Sequence, residues 1–274
     1  MSTGTVGTGT VGTGTTSTGA MTTTVGRLAA LGRAECTLLL RNRTALFVAV
    51  LVPIITIGGF KSSLNGIDPD KGGPTVIELA MIGSIGMVLI MAVYANLAAA
   101  YTSRREDLVL KRLRTVEASD TEILTGTALP AVALALLQSV VLVAAGVAFL
   151  GGRAPQRADL LVAGLLGGIL VLVALAAVTS AFTRTVESAQ ITIMPLFLVS
   201  IVGSGLFVPL TVMPDNLAAF CEMLPMTGAM TLIRAGWLGG VGAHDLGGAA
   251  LTTVAWIVVS LFAVRKWFRW EPRR

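Results

Sequence analysis

The side chains able to do chemistry are gathered in one stretch, REDLVLKRLRTVEASDTEILTG, residues 105–126. It holds nine charged residues in twenty-two, in a chain where charged residues are only 13% of the total. Arg105, Glu106, Lys111, Arg112, Arg114, Glu117, Ser119, Asp120 and Glu122 present both signs of charge and a hydroxyl. The chemistry this set offers is recognition, because charges of alternating sign fix the register of a partner and reject wrong ones. Catalysis would need a cluster of nucleophile, acid or metal ligands, and no such cluster is visible. Cys36, Cys221 and His244 have no metal-ligand spacing. The Gly/Thr repeats of residues 1–24 are not a phosphate loop, since no lysine in the chain follows a glycine.

Those charged groups need elements to hold them. Ser119 and Glu122 stand three apart, the spacing of a capping box. The serine hydroxyl accepts from the Glu122 amide while the carboxylate reaches back to the Ser119 amide. A helix is therefore expected to start at Asp120 and run to about residue 128, into the apolar segment beyond. Asp107 and Lys111 have the i, i+4 spacing of a helical ion pair, so the preceding helix is expected to continue to about Arg114.

On either side of the island the chain is apolar. Hydrophobic residues make up 54% of it, and the mean hydropathy is +0.82. A soluble domain carries about a quarter charged residues, so this chain belongs to the membrane class. Six segments are long and apolar enough to span: 44–60, 76–101, 129–150, 160–182, 191–212 and 246–264. They are expected to be helices, because hydrocarbon offers no partner to a backbone amide or carbonyl. With both termini in the cytoplasm, fifteen Lys and Arg fall inside and five outside, as the positive-inside rule requires. The isoelectric point near 9.8 thus reflects a membrane surface, and no nucleic-acid partner is expected. This topology puts Cys36 and Cys221 on opposite sides of the bilayer, so no internal disulfide is expected.

The fold class is then an all-α integral membrane protein of six transmembrane helices. Residues 1–24 read as a disordered cytoplasmic tail and 25–274 as one six-helix transmembrane domain. Within that domain, 25–43 is expected to be an amphipathic interfacial helix and 102–128 the cytoplasmic charged region. Residues 213–240, broken by Pro214, Pro225 and several glycines, are expected to form short re-entrant helices on the outer side before the last span.

The charged stretch resembles the cytoplasmic loop of type-2 ATP-binding-cassette exporter permeases. The likeness is carried by Arg105, Glu106, Leu110, Leu113, Thr115, Glu122, Ile123, Leu124 and Gly126. Departures stand at Leu108 and Val109 in place of Gly-Thr, at Val116 and Glu117 in place of Thr-Pro, and at Thr127 in place of a basic residue. Within that family the chain resembles drug- and antibiotic-resistance members of the daunorubicin-exporter kind. The resemblance implies that the loop is a coupling helix seated in a separate ATPase subunit. It implies two ATPase copies, with ATP and magnesium bound there, and a second permease copy or paralogue. This chain carries no cofactor and no nucleotide motif of its own. The expected location is the cell membrane, in contact with lipid and with a small lipophilic substrate.

Polar side chains within the spans are few. Tyr94, Asn96, Gln138, Ser139, Ser200 and Ser204 are the candidates for touching substrate, alongside the commoner role of hydrogen bonding between helices. No ionisable residue stands in the middle of a span, which disfavours a proton-coupled carrier and favours a lipophilic cargo. The alternatives are an exporter of polysaccharide or lipid, weakly disfavoured by an aromatic content of 5%, and a secondary carrier or membrane-embedded enzyme.

Overall fold

In a computed structural model of the chain, the residues described are 76–106, 120–150, 153–206, 210 and 213–267, together with Thr37, Phe47, Leu51 and Ile55. Apart from these last four, the expected interfacial helix and the expected first span lie outside the described residues, as do the tail and most of the charged loop. Among the described residues every regular element is helical.

The first rod is built from α1 (Val76–Val88), a π-helical turn (Leu89–Ala95) and α2 (Asn96–Glu106). A long helix, α3 (Asp120–Leu150), follows, and it carries Pro130 without a break. Then come α4 (Ala158–Phe182), α5 (Val186–Gly203), the short pair α6 (Asp215–Glu222) and α7 (Thr227–Leu238), and α8 (Ala243–Trp267). Five of these elements are long and apolar enough to cross a bilayer, counting Ile77–Glu106 as one. They correspond to the expected second to sixth spans, and the protein is a multi-pass membrane protein.

Two spans sit at the centre. Of their apolar stretches, 72% is buried in Ile77–Glu106 and 61% in α4, against 22–28% in α3, α5 and α8. The inner layer packs through Leu89, Val93, Leu97, Leu165, Ile169 and Leu172, all buried. The outer helices leave Val140, Ile191, Val202, Leu251 and Phe262 exposed, as a lipid-facing surface would.

The expected fifth span was drawn over 191–212, but α5 runs from Val186 to Gly203. It begins earlier because Thr185 and Ser188 form a capping box that starts the helix before the apolar run. It ends earlier because Gly205 turns left-handed at φ 68°, a conformation most residues avoid. At 18 residues α5 is about 27 Å long, barely enough to cross the hydrocarbon core.

The segment between α5 and α8 is broken into two short helices. Helices α6 and α7 are bent by 99° to one another. The C-terminal end of α7 meets the start of α4, where the Arg157 amide donates to the Gly236 carbonyl at 2.9 Å and the Gln156 amide to the Trp237 carbonyl at 3.3 Å. Its N-terminal end lies opposite Gly168, roughly ten residues and hence about 15 Å along α4. Cys221, in the last turn of α6, and Leu224, between the two short helices, lie against Gly203 at the far end of α5. Gly164 and Gly168, a small-xxx-small face, let α7 approach closely: a Cβ at Gly164 would stand 2.8 Å from the Ala229 carbonyl oxygen.

Candidate functional site

Four helix ends meet on the side expected to be cytoplasmic: the end of α2, the start of α3, the end of α4 and the start of α5. Helix α4 stops because Thr183 is extended at φ −81°, ψ 139°. The Thr183 hydroxyl donates back to the Thr179 carbonyl at 2.8 Å, and the Ser180 hydroxyl to the Ala177 carbonyl at 2.8 Å. Two residues later Thr185 caps α5. This tight reversal sets a helix C-terminus, which is electronegative, beside a helix N-terminus, which is electropositive.

The last two residues of α2 read that reversal. Arg105 donates through Nη1 to the Ser180 carbonyl at 2.6 Å and through Nη2 to the Thr183 carbonyl. Glu106 accepts through Oε1 from the amide of Val186, the first residue of α5, at 3.2 Å. The cation thus lies on α4's carbonyl end and the anion on α5's amide end, each matched in sign to the helix dipole it meets. The preceding turn ties α2 to α3. The Tyr101 hydroxyl donates to the Leu124 carbonyl at 2.9 Å, and Arg104 Nη1 to Thr127 Oγ1 at 3.1 Å.

The structure places the sequence-derived residues as follows. Arg105 is 1% exposed, so in this conformation it is a buried intramolecular bridge and not part of a docking surface. Burial is sustained because carbonyls of α4 replace water around the guanidinium. Glu122 is also buried, at 8% exposure. Asp120 begins α3. Lys111, Arg112, Arg114, Glu117 and Ser119 lie outside the described residues, and with Ser119 so does the expected capping box.

Of the candidate substrate contacts, Tyr94 is buried and its hydroxyl pairs with Thr179 Oγ1 at 3.0 Å. Gln138, Ser139, Ser200 and Ser204 are buried within the chain as well. Asn96 alone of the six is exposed, directly after the π-helical turn. Sequence reasoning missed Thr183 and Val186, whose backbone groups complete the junction. The usable signal was the Arg-Glu pair at the end of a span, opposite in sign and adjacent, facing a predicted break between two other spans.

A family model described as ABC-2 type transporter matches residues 27–238, more than half of the chain. The chain has no significant match among curated proteins. The matched region takes in the charged loop, the four-helix junction and the short pair α6 and α7, and on that match the chain belongs to the ABC-2 type transporter family as a membrane permease component.

Proposed function

We propose that this chain forms half of the translocation pathway of an ATP-driven exporter of lipophilic drugs or antibiotics, energised by a separate ATPase through the loop between α2 and α3. The observation that carries the reading is the junction. Both ends of that loop are pinned to each other through Tyr101–Leu124 and Arg104–Thr127, and its first anchor also grips the α4–α5 turn. A push on the loop reaches four helix ends at once. The lipophilic cargo is supported by the spans themselves. Among the described residues, no Asp, Glu, Lys or Arg lies in the middle of one. Two copies of the chain would complete the pathway, with two ATPase subunits.

The test is copurification with the ATPase, followed by ATP-dependent uptake of a lipophilic antibiotic into inverted vesicles. Replacing Lys111, Arg112 and Arg114 with alanine leaves twelve basic residues inside against five outside, so insertion should persist. ATPase recovery should fall at least tenfold, through loss of complementary charge. Unchanged recovery would make the island a solvated loop. Uptake of a lipid-linked glycan in place of the antibiotic would move the protein to the other cargo class.

Orientation has its own measurement. In intact cells Cys36 should resist an impermeant maleimide, while Gly152→Cys, between α3 and α4, should react. Cys221 is buried and should stay silent. Reaction at position 36 alone would invert the topology.

A further inference from the structure

Helix α5 is the least buried of the described spans, with 22% of its apolar stretch covered, and Pro195 interrupts its hydrogen bonding near the middle. So weakly packed an element depends on its ends. Both ends are held by charged side chains from other helices. At the inner end, Glu106 of α2 accepts from the Val186 amide at 3.2 Å. At the outer end, Arg234 of α7 donates through Nη2 to the carbonyl of Gly205, just past the Ser204 cap. The anion stands at the amide end and the cation at the carbonyl end, the arrangement that opposes the dipole of α5 at both termini.

The outer joint is only half made. Arg234 Nε and the Ser204 hydroxyl are both buried, and neither finds a hydrogen-bond partner among the described residues. A donor and an acceptor left over at one joint are available to a second arrangement of the same parts. At the inner joint, Glu106 is the residue from which the chain enters the loop proposed as the ATPase contact.

We propose that Glu106 and Arg234 are positioning residues that make α5 a strut held at both ends: Glu106 carries movement of the loop into α5, and Arg234 is the outer pivot on which the helix settles in two positions. The proposal rests on the exporter reading and adds to it which span moves and what moves it. The buried bridge of Arg105 keeps α4 in step with α2, so α5 shifts against α8 and the short pair α6 and α7.

The experiment uses the full chain with its ATPase in proteoliposomes, with Cys36 and Cys221 replaced. Spin labels at Val202→Cys and Leu251→Cys, both exposed, report the separation of α5 and α8. Their distance distribution should differ between nucleotide-free and ATP-trapped complexes. With Glu106→Ala the difference should disappear, and transport per ATP hydrolysed should fall at least tenfold. Arg234→Ala should broaden the distribution in both states and lower the same ratio at least threefold. Glu106→Gln keeps an acceptor oxygen for the Val186 amide and should restore at least half of the ratio. A merely structural role would instead lower the amount of protein in the membrane and leave the ratio alone. Identical distances in the two nucleotide states, or ratios unchanged in both alanine variants, overturn the strut. Failure of the unsubstituted chain to bind any ATPase overturns the exporter reading, and the strut with it.

Discussion

Gly236→Val is expected to strip the folded protein from the membrane almost completely. Even a Cβ at this position would stand 2.4 Å from the Leu161 amide nitrogen, 2.8 Å from its Cα and 2.9 Å from the Arg157 carbonyl oxygen. These are backbone atoms of α4 and of the turn before it, so no rotamer change relieves the clash. Overpacking of a tight interior costs about 1–3 kcal/mol when neighbours can yield. Here relief requires α7 to withdraw, which also breaks the Arg157–Gly236 and Gln156–Trp237 backbone bonds. Each of those contributes on the order of 1 kcal/mol. A total of about 3–5 kcal/mol is a large share of a typical stability. Fluorescence-detected size-exclusion chromatography should show less than about a tenth of the monodisperse peak, with Gly236→Ala intermediate. Gly247→Ala is the control. A Cβ added at that glycine would meet nothing within 4 Å, and alanine is the better helix former. A Gly236→Val peak equal to that of Gly247→Ala would mean that α7 is not seated against α4.

Arg105→Ala should be the most damaging change at the junction. The side chain is 1% exposed and bonds two carbonyls, those of Ser180 and Thr183. Leaving a buried carbonyl unsatisfied costs about 1–3 kcal/mol, and the lost guanidinium also vacates packed volume. Lysine should rescue only in part, since one ammonium does not reproduce a planar fork of donors. Hydrogen exchange gives a local readout. Amides of Thr183–Ser188 should exchange at least tenfold faster in Arg105→Ala, because the reversal between α4 and α5 loses its clamp. Arg184→Ala, at an exposed position of the same turn, should change little. Equal exchange in the two variants would show that Arg105 does not hold the turn.

The two expected results differ in how far they were legible beforehand. Gly164 and Gly168 announced a close helix contact by their spacing, but nothing in the chain said that the partner was α7 and not another span. Gly236 carried no signal at all, because one glycine among 31 is distinguished only by the backbone that lies against it. The break into two short helices before the last span was legible in its prolines and glycines. The end of α5 was not, because Gly205 matters through a positive φ that composition does not reveal.

By itself the sequence determined the class of the protein and the second to sixth spans. Those follow from hydropathy and charge, which are properties of each segment alone: a backbone in hydrocarbon must close its own hydrogen bonds, and charge must stay near water. Tertiary structure alone decided which charges face inward. Arg105 looked like a docking residue because a basic side chain at a span end is ordinarily solvated. It is buried because α4 and α5 reverse beside it and supply carbonyls in place of water. Helix rotation in a membrane is likewise undetermined by a span that is apolar on all sides. Packing of the Ile77–Glu106 rod against α3 and α4 chose it, turning Tyr94 and Ser139 inward and leaving Asn96 exposed.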